Sequence, residues 1–267
     1  MSCSEIYQSD CVLYTGPSSS CLGITTGMNM TEVMDIFFEN VNCSTTTTTS
    51  STTTTSTSTT STTSSTTTTT STTTTTTNPC PDCVAADITI GSQIWARCNL
   101  NESTYTDGTS IDYEPDPTLW AAKTTGAWCW HDNISANGPT YGKLYNGYAI
   151  TNTTNGGIKV PTGYRIATNA DWNTLSSLGA GPLKETTFCH WLSPNTGATN
   201  SSGFSALGGG ARASDGSFTG VKSIGYWWTS TENSGFLWSH TMQYNSFSTF
   251  SGASNKKDGR SIRLIKI

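Results

Sequence analysis

Two segments of the sequence indicate the fold most strongly, Tyr226-Trp227-Trp228-Thr229-Ser230-Thr231 and Ser261-Ile262-Arg263-Leu264-Ile265-Lys266-Ile267. The first segment is aromatic and β-branched, a composition typical of strands. The second alternates, with Ile262, Leu264 and Ile267 on one face and Arg263 on the other, which is the period of a half-buried strand. We therefore predict that the two segments form a pair of core strands.

Residues 236–255 lie between these strands, and their aromatic side chains are set among small polar ones. Tyr, Trp and Phe supply rigid contact area, while Ser, Asn, Thr and Gly supply adaptable hydrogen bonding, a composition typical of binding surfaces. Alternation along a strand places Trp238 and Met242 inward and leaves the side of His240 open. The alternative is that half of the aromatic residues belong to the core. The predicted ligand-binding residues are Phe236, His240, Tyr244, Asn245, Phe247, Thr249 and Phe250.

Composition divides the 267 residues into three parts. Residues 44–77 contain only Ser and Thr, so we predict an N-terminal module at 1–43, a Ser/Thr-rich linker or stalk at 44–79 and a body at 80–267. The tract is either a flexible or glycosylated linker or a trimeric β-structured stalk. All 13 Lys and Arg residues lie in the body beside a similar number of acidic ones, which gives no electrostatic footprint for nucleic acid. No apolar run suits membrane insertion, and no secretory signal is visible.

The N-terminal module contains one predicted amphipathic helix. Asn29 can cap it with Glu32 three residues later, and apolar side chains then recur at helical spacing. Since a module of about forty residues cannot bury such a stripe alone, we expect other copies of the chain, as a homotrimer, or a docking partner to cover it. The predicted oligomerisation residues are Met30, Val33, Met34, Phe37 and Phe38.

Local patterns in the body predict a hairpin and a helix. Asp87-Ile88-Thr89-Ile90 and Gln93-Ile94-Trp95-Ala96 flank the turn Gly91-Ser92, which is a hairpin pattern. Thr168 and Asp171 form a capping box at the start of the helix. The inner face of that helix is predicted to consist of Trp172, Leu175 and Leu178.

The nine cysteines are compatible with a disulfide framework or with a metal site. Cys80-Pro81-Asp82-Cys83 has no second CxxC pair in the body, and the cysteines of the N-terminal module have no His nearby, so a zinc site is not expected. A protein assembled in cytoplasm keeps its thiols reduced. We therefore expect mostly reduced cysteines that pack as small hydrophobic side chains.

The body as a whole resembles the Fibrobacter succinogenes major paralogous domain. Matching blocks are Ile90-Gly91-Ser92-Gln93-Ile94-Trp95, Trp128-Cys129-Trp130, Tyr141-Gly142-Lys143-Leu144-Tyr145-Asn146, Asn200-Ser201-Ser202-Gly203-Phe204, Tyr226 to Glu232 and Lys256-Lys257-Asp258-Gly259. That family's fold is related to the C-type lectin-like fold. The resemblance implies an α+β fold class, with a loop-rich, C-type lectin-like domain of short antiparallel strands. It also implies no family-type disulfide at Leu264, where the family has Cys.

The N-terminal module resembles those of fibre and tail-associated proteins from phages of gut Bacteroidetes, the crAss-like phages among them. The resemblance lies in Cys11-Val12-Leu13-Tyr14-Thr15-Gly16-Pro17, Leu22-Gly23-Ile24 and residues 27–38. It implies a module that contacts other virion proteins, assembly in the host cytoplasm and a location on the virion surface.

Catalytic chemistry has little support in the sequence. None of His131, His190 and His240 lies in a nucleophile or zinc-binding motif. Glu114-Pro115-Asp116 and Trp130-His131-Asp132-Asn133 are similar to the calcium motifs of sugar-binding lectins, but both occur in the first third of the body, where such motifs do not belong. We predict a protein that is not an enzyme, with no catalytic residue, metal or cofactor.

The parts together predict an adhesion protein, with a module for anchoring, a tract for reach and a tip that binds a host cell-surface glycan or protein. Two alternatives are a structural or decorative virion fibre without a specific ligand and a secreted bacterial surface protein of the same family. Residues 236–255 are also a candidate for diversification by a retroelement, against the alternative that a Ser/Thr-rich chain would contain such residues in any case.

Overall fold

The computed structural model describes residues 45–50, 72–77, 83 and 86–267. The chain divides into two compact units, Met1–Pro81 and Asp82–Ile267. The predicted amphipathic helix lies outside the described residues, as do all five side chains predicted for oligomerisation. No helix within the described ranges is long and apolar enough to cross a membrane.

In the first unit, two short strands pair within the Ser/Thr tract. β1 (Thr45–Ser50) and β2 (Thr72–Thr77) are antiparallel, with Thr45 opposite Thr77 and Ser50 opposite Thr72. Thr favours extended backbone because its branched β-carbon restricts the side-chain torsion. These parts of the tract are therefore β-structured, while its role as linker or stalk stays a prediction.

The second unit is built on one mixed sheet of twelve strands. In chain order the strands are β3 (Asp87–Ile90), β4 (Gln93–Asn99), β5 (Asp112–Tyr113), β6 (Ala127–Cys129), β7 (Leu144–Asn146), β8 (Tyr164–Ile166), β9 (Gly209–Arg212), β10 (Phe218–Val221), β11 (Ile224–Asn233), β12 (Phe236–Gln243), β13 (Thr249–Ser254) and β14 (Gly259–Lys266). The α-helices are α1 (Pro117–Ala122), α2 (Gly138–Tyr141), α3 (Gly147–Ile150) and α4 (Asn169–Ser176). Two single 3-10 turns, His131–Asn133 and Ser135–Asn137, precede α2.

The prediction of an α+β, C-type lectin-like fold is wrong, because the described part of the chain is mostly β, with 37% strand and 15% helix. The longest of its helices, α4, has eight residues, and the others have four to six. Frequent Gly, Pro and Thr interrupt helical runs, while aromatic and β-branched residues favour strands. The strands are also not all antiparallel, since β5 pairs with β6, β9 with β11 and β11 with β14 in parallel.

The sheet follows the order β13-β12-β11-β9-β14-β7-β6-β5, with β10 beside β9, β3 beside β4, and β4 and β8 beside β14. The predicted pair of core strands is confirmed, because Trp227 lies opposite Ser261 and Trp228 opposite Ile262. The predicted faces of β14 are partly wrong. Arg263 and Ile265 are buried like Ile262, and Ile267 is 86% exposed. A strand in the middle of a sheet covered on both faces does not alternate between core and water.

Arg263 is fully buried and ties β14 to β4. Its Nε donates to Asn99 Oδ1 at 3.0 Å, and its Nη1 donates to the carbonyls of Ala96, Arg97 and Phe204. The guanidinium also lies 4.4 Å from the centre of the Phe204 ring. Burial lowers the pKa of Arg263 to about 9. The charge is thus retained in the core by carbonyl and amide acceptors.

The two larger hydrophobic clusters of the described residues pack on the sheet. The first contains Trp95, Trp172, Trp191, Phe204, Trp227 and Met242. The second contains Tyr105, Trp128, Tyr145, Trp228, Leu237 and Ile262. Aromatic residues contribute a large apolar area each, so a domain with few regular helices still has a substantial core.

The predicted hairpin and helix are both present. β3 and β4 pair around the turn at Gly91-Ser92, with Ile90 opposite Gln93. Thr168 and Asp171 form the reciprocal capping box of α4, and Trp172 and Leu175 are buried. The prediction for Leu178 is wrong, because α4 ends at Ser176 and the Leu178 side chain is exposed.

The expectation of mostly reduced cysteines is wrong for the described residues. Cys83 and Cys98 form a disulfide, and Cys189 is also disulfide-bonded. Because β4 runs antiparallel to β3, the chain returns past the residues that precede β3, and Cys98 comes to lie beside Cys83. Within the described ranges Cys129 is a free thiol, and burial raises its pKa to about 12. Such a thiol is an inert core group.

Candidate functional site

The segment predicted to bind a ligand forms a β-hairpin of β12 and β13. The two strands pair without interruption, from Leu237 opposite Ser254 to Met242 opposite Thr249. β12 lies between β11 and β13, and β13 lies at the margin of the sheet. The hairpin therefore presents an exposed strand and a turn on a rigid support.

β12 itself is mostly buried on both faces. Met242 has no exposed surface and contacts the core cluster of Trp172 and Trp227, which confirms its predicted inward position. Leu237 is buried in the other cluster. Trp238, also predicted inward, is only partly buried. Contacts with a ligand must therefore come from the ends of the hairpin and from β13.

His240 does not belong on the binding surface, although the sequence analysis placed it there. It is 2% exposed, with Nε2 2.8 Å from Asn169 Oδ1 and Nδ1 3.3 Å from Ser176 Oγ. Burial lowers the pKa of His240 to about 4, so the ring is neutral at pH 7. It joins β12 to both ends of α4, and its side chain is not accessible to a macromolecular ligand.

The other predicted side chains reach solvent to different degrees. Phe236, Phe247 and Phe250 are 47%, 67% and 47% exposed, and Asn245 is exposed as well. Tyr244 and Thr249 are partly buried, and Tyr244 packs against the first core cluster.

These residues do not form one cluster. Tyr244, Asn245 and Phe247 lie in the turn between β12 and β13, followed directly by Thr249 and Phe250. Phe236 begins β12, eight residues long, so it lies about 25 Å from that turn at roughly 3.3 Å per residue. The candidate site is therefore the turn plus β13, which we call the tip surface (residues 244–254).

A buried lysine holds the turn of the tip surface. Lys184 has no exposed surface, and its Nζ donates to the carbonyls of Thr196, Gln243 and Ser246 at 2.9, 3.0 and 3.1 Å. Burial lowers the pKa of Lys184 to about 8, and the protonated amine has three donors for the three acceptors. The ammonium thus links the turn to a loop that follows Lys184 in the chain.

Backbone bonds and one glycine fix the same turn. Tyr244 accepts from Thr196 N at 2.6 Å, and Phe247 accepts from Ala180 N at 2.8 Å through their carbonyls. The Phe247 ring lies directly on Gly197, where a β-carbon would come within 2.3 Å of Phe247 Cδ1. Gly197 has φ +71°, a conformation that suits glycine. The exposed ring is therefore held in place before any ligand arrives.

A second cation supports β12 through Ser239. Arg260 Nη1 donates to Ser239 Oγ at 3.0 Å, and Nη2 pairs with Asp258 at 3.1 Å. The guanidinium lies 4.8 Å from the ring centre of Tyr226 and 5.0 Å from that of Trp228. Ser239 Oγ also lies 3.0 Å from Ser254 Oγ, so the support extends to β13.

The residues predicted from the sequence did not include the supports of the tip surface, which are Lys184, Gly197 and Arg260. Lys184 is 59 residues from Gln243 in sequence. A lysine after Pro-Leu gives no local signal that its ammonium will be buried. Only the fold brings it under the turn.

The described residues provide no arrangement typical of a metal site, since no group of three or more His, Cys, Asp or Glu is placed to hold an ion. The Asn133 side chain does reach the carbonyl of Pro115 at 2.9 Å, so the two lectin-like motifs meet, but without a ligand set. All three histidines are buried.

Two surface cavities lie elsewhere in the unit. One, of about 420 Å³, is lined by Ala86, Asp87, Ala96, Cys98, Pro161, Tyr164 and Leu264. The other, of about 320 Å³, is lined by Leu100, Asn101, Glu102, Lys159, Val160 and Pro161. None of these residues belongs to the hairpin, so the cavities are not part of the candidate site.

Comparison with known proteins identifies the body. We find no matching curated protein and no matching solved structure. The family model of the Fibrobacter succinogenes major domain matches residues 88–266, which include every strand of the sheet except the first residue of β3. The match spans well over half of the 267 residues. The chain therefore belongs to the Fibrobacter succinogenes major domain family.

Proposed function

We propose that the chain is a non-enzymatic adhesion protein whose tip surface binds a glycan or protein on a host cell. The observation that carries the proposal is the exposure of Phe247 and Phe250 on a turn and strand held by the buried ammonium of Lys184. Exposed aromatic rings on a fixed backbone bind with little loss of conformational entropy. The segment 236–255 has no Asp, Glu, Lys or Arg, so contact there does not desolvate a charged side chain.

The wider assembly belongs to the same proposal. The N-terminal module anchors the chain to other virion proteins of a phage, the Ser/Thr tract gives reach, and the tip acts outside the virion. The amphipathic stripe of the module favours a homotrimer, because its apolar residues need a partner surface. Light scattering on the full chain of 28.4 kDa tests this point: three chains per particle are expected, and a monomer at high concentration contradicts it.

A binding experiment tests the tip. Labelled full-length protein is incubated with a panel of gut bacterial isolates and with an array of bacterial surface glycans. We expect binding to a subset of isolates, at least tenfold weaker for the double substitution Phe247→Ala and Phe250→Ala. Leu119→Ala is the matched control, because Leu119 is also an exposed apolar side chain but lies on α1, outside the hairpin of β12 and β13.

The second candidate function is a structural fibre without a specific ligand. The Ser/Thr tract is compatible with it, since the tract is long and uncharged and its described parts are paired β-strands, which suit a stalk. Failure of the wild-type chain to bind any isolate or glycan favours this alternative. Equal binding by the double variant and the wild type would show that the ligand site lies outside the tip surface.

A further inference from the structure

β13 is an edge strand of the described sheet, and its outer backbone groups bond to no other described residue. Among the described strands it pairs only with β12. The direction of its backbone groups follows from β12, because the N–H and C=O of successive residues in an antiparallel strand point to opposite sides. The carbonyl of Trp238 accepts from Thr229 Oγ1 at 3.0 Å, so Trp238 points its backbone toward β11. Ser239 and Thr241 therefore point theirs toward β13.

The pairing register carries this pattern across to β13. Ser239 lies opposite Gly252, and Thr241 lies opposite Phe250. Gly252 and Phe250 therefore form the hydrogen-bonded pairs with β12, and Ser251 and Ala253 direct their N–H and C=O groups away from the sheet. Apart from bonds between paired strands, no hydrogen bond within the described ranges involves the backbone N–H or C=O of Ser251 or Ala253. Each exposed row of such groups is a template for another strand.

The other strands with a single partner in this sheet carry features that discourage pairing. β3 contains Asp87, β5 contains Asp112 and β8 contains Arg165. β10 has no charge, but it is only four residues long, and Gly220 at φ +79° is not among its residues paired with β9. Charges and irregularities are the usual protection of sheet edges. β13 has six paired residues, no charge, no Pro and no break in register, so it is the unprotected edge of the described sheet.

We propose, building on the adhesion function above, that β13 binds an extended polypeptide segment of a host-surface protein by adding it as the next strand of the sheet. Backbone groups of Ser251 and Ala253 supply the hydrogen bonds. Phe250 supplies selectivity, because its neighbour on an added antiparallel strand forms a non-hydrogen-bonded pair, in which side chains approach most closely. An aromatic or β-branched residue suits that position. The ligand class is therefore a peptide strand rather than a glycan.

Proline at position 251 gives a sharp test. Ser251→Pro removes an outward N–H and leaves the bonds to β12 in place, and edge strands tolerate Pro where the N–H faces solvent. Ser251→Ala is the matched control, because it keeps the N–H and removes only the hydroxyl. Ala253→Pro and Ala253→Ser form a second pair. Thermal unfolding of each full-length variant is used to check that it is folded. If Ser251→Pro does not fold, the variants at Ala253 replace those at Ser251.

The probe is a library of random linear peptides selected against the full chain. We expect selected peptides with an aromatic or β-branched residue at a fixed position, binding at least tenfold more weakly to Ser251→Pro and within twofold of wild type to Ser251→Ala. Cells that bind the wild type are tested in parallel after protease treatment or periodate oxidation of glycans. Protease is expected to abolish binding, and periodate is not.

The outcomes separate this proposal from the adhesion function. Cell binding that resists protease, is lost after periodate and is equal for Ser251→Pro and Ser251→Ala overturns strand addition while adhesion stands. Peptide selection that yields no binder sensitive to Ser251→Pro also overturns it. A dimer that Ser251→Pro dissociates assigns the edge to a second copy of the chain, which contradicts a host ligand there. Peptide binding through β13 without binding to any cell supports strand addition and counts against adhesion.

Discussion

The imidazole of His240 stacks on the indole of Trp172, with ring centres 5.3 Å apart and planes 16° from parallel. Since both ring nitrogens of His240 also lie within hydrogen-bonding distance of α4, one side chain joins the hairpin to the helix. The hairpin that presents the tip surface is therefore part of the core and not an appended loop. Because the buried His240 can take up a proton, the stability of the folded protein depends on pH.

Acidification is expected to destabilise the protein through His240. Burial lowers its pKa to about 4 from 6.5, so between these values the unfolded chain binds a proton that the folded chain does not. Stability from this group is complete above pH 6.5 and is lost as the pH falls toward 4, by roughly 3 kcal/mol in total. Urea unfolding at several pH values measures it. His240→Gln should flatten the curve in this window, and an unchanged slope would contradict the assignment.

Lys184→Met is expected to loosen the turn of the tip surface. It leaves the carbonyls of Thr196, Gln243 and Ser246 without their donor, at about 1–3 kcal/mol for a buried group left unpaired. Hydrogen exchange at residues 244–248 should accelerate. Lys159→Met serves as control, because Lys159 is exposed. Equal exchange in both variants would show that the ammonium does not hold the turn.

Lys184 also predicts a pH effect of its own. Its pKa is lowered by burial to about 8 from 10.5, so between these values the folded chain releases a proton that the unfolded chain keeps. The contribution of this group to stability therefore rises as the pH increases from 8 to 10.5. Comparing wild type with Lys184→Met over that range isolates it. A difference between the two that stays constant with pH contradicts the lowered pKa.

Gly197→Ala is expected to displace Phe247. The new β-carbon would meet the Phe247 ring, and the positive φ adds strain of about 1 kcal/mol. Binding to cells should fall with little loss of global stability. Gly163→Ala is the matched control, because Gly163 also has a positive φ of +84° but has open space around it and lies outside the tip surface. If both variants bind like wild type, the fixed position of Phe247 is not needed for adhesion.

Loss of the Cys83–Cys98 disulfide is expected to destabilise the second unit. The bridge closes a loop with a sequence separation of 15, for which chain entropy predicts about 3 kcal/mol. The double substitution Cys83→Ser and Cys98→Ser, measured by urea unfolding, tests this value. A stability equal to that of wild type would show that the β3–β4 pairing alone fixes this end of the sheet.

Features that depend on near neighbours in the chain could be predicted from the amino-acid sequence. The structure contains the predicted strand β11, the turn at Gly91-Ser92 and the capping box of Thr168 and Asp171. Strand propensity, turn geometry and capping act over a few residues, so a short stretch of sequence is enough to predict them. The ordered blocks of the body likewise indicated its family, which the match over residues 88–266 confirmed.

Which residues cover each face of the sheet depends on contacts between segments that are distant in the sequence. A period of two places Arg263 opposite Ile262, but whether that side meets water depends on Phe204 and β4, which are distant in sequence. Burial of His240 depends in the same way on α4, and that of Lys184 depends on the turn it supports. The open edge of β13 follows from the order of strands in the sheet. Long-range pairing sets these properties, and no local pattern encodes it.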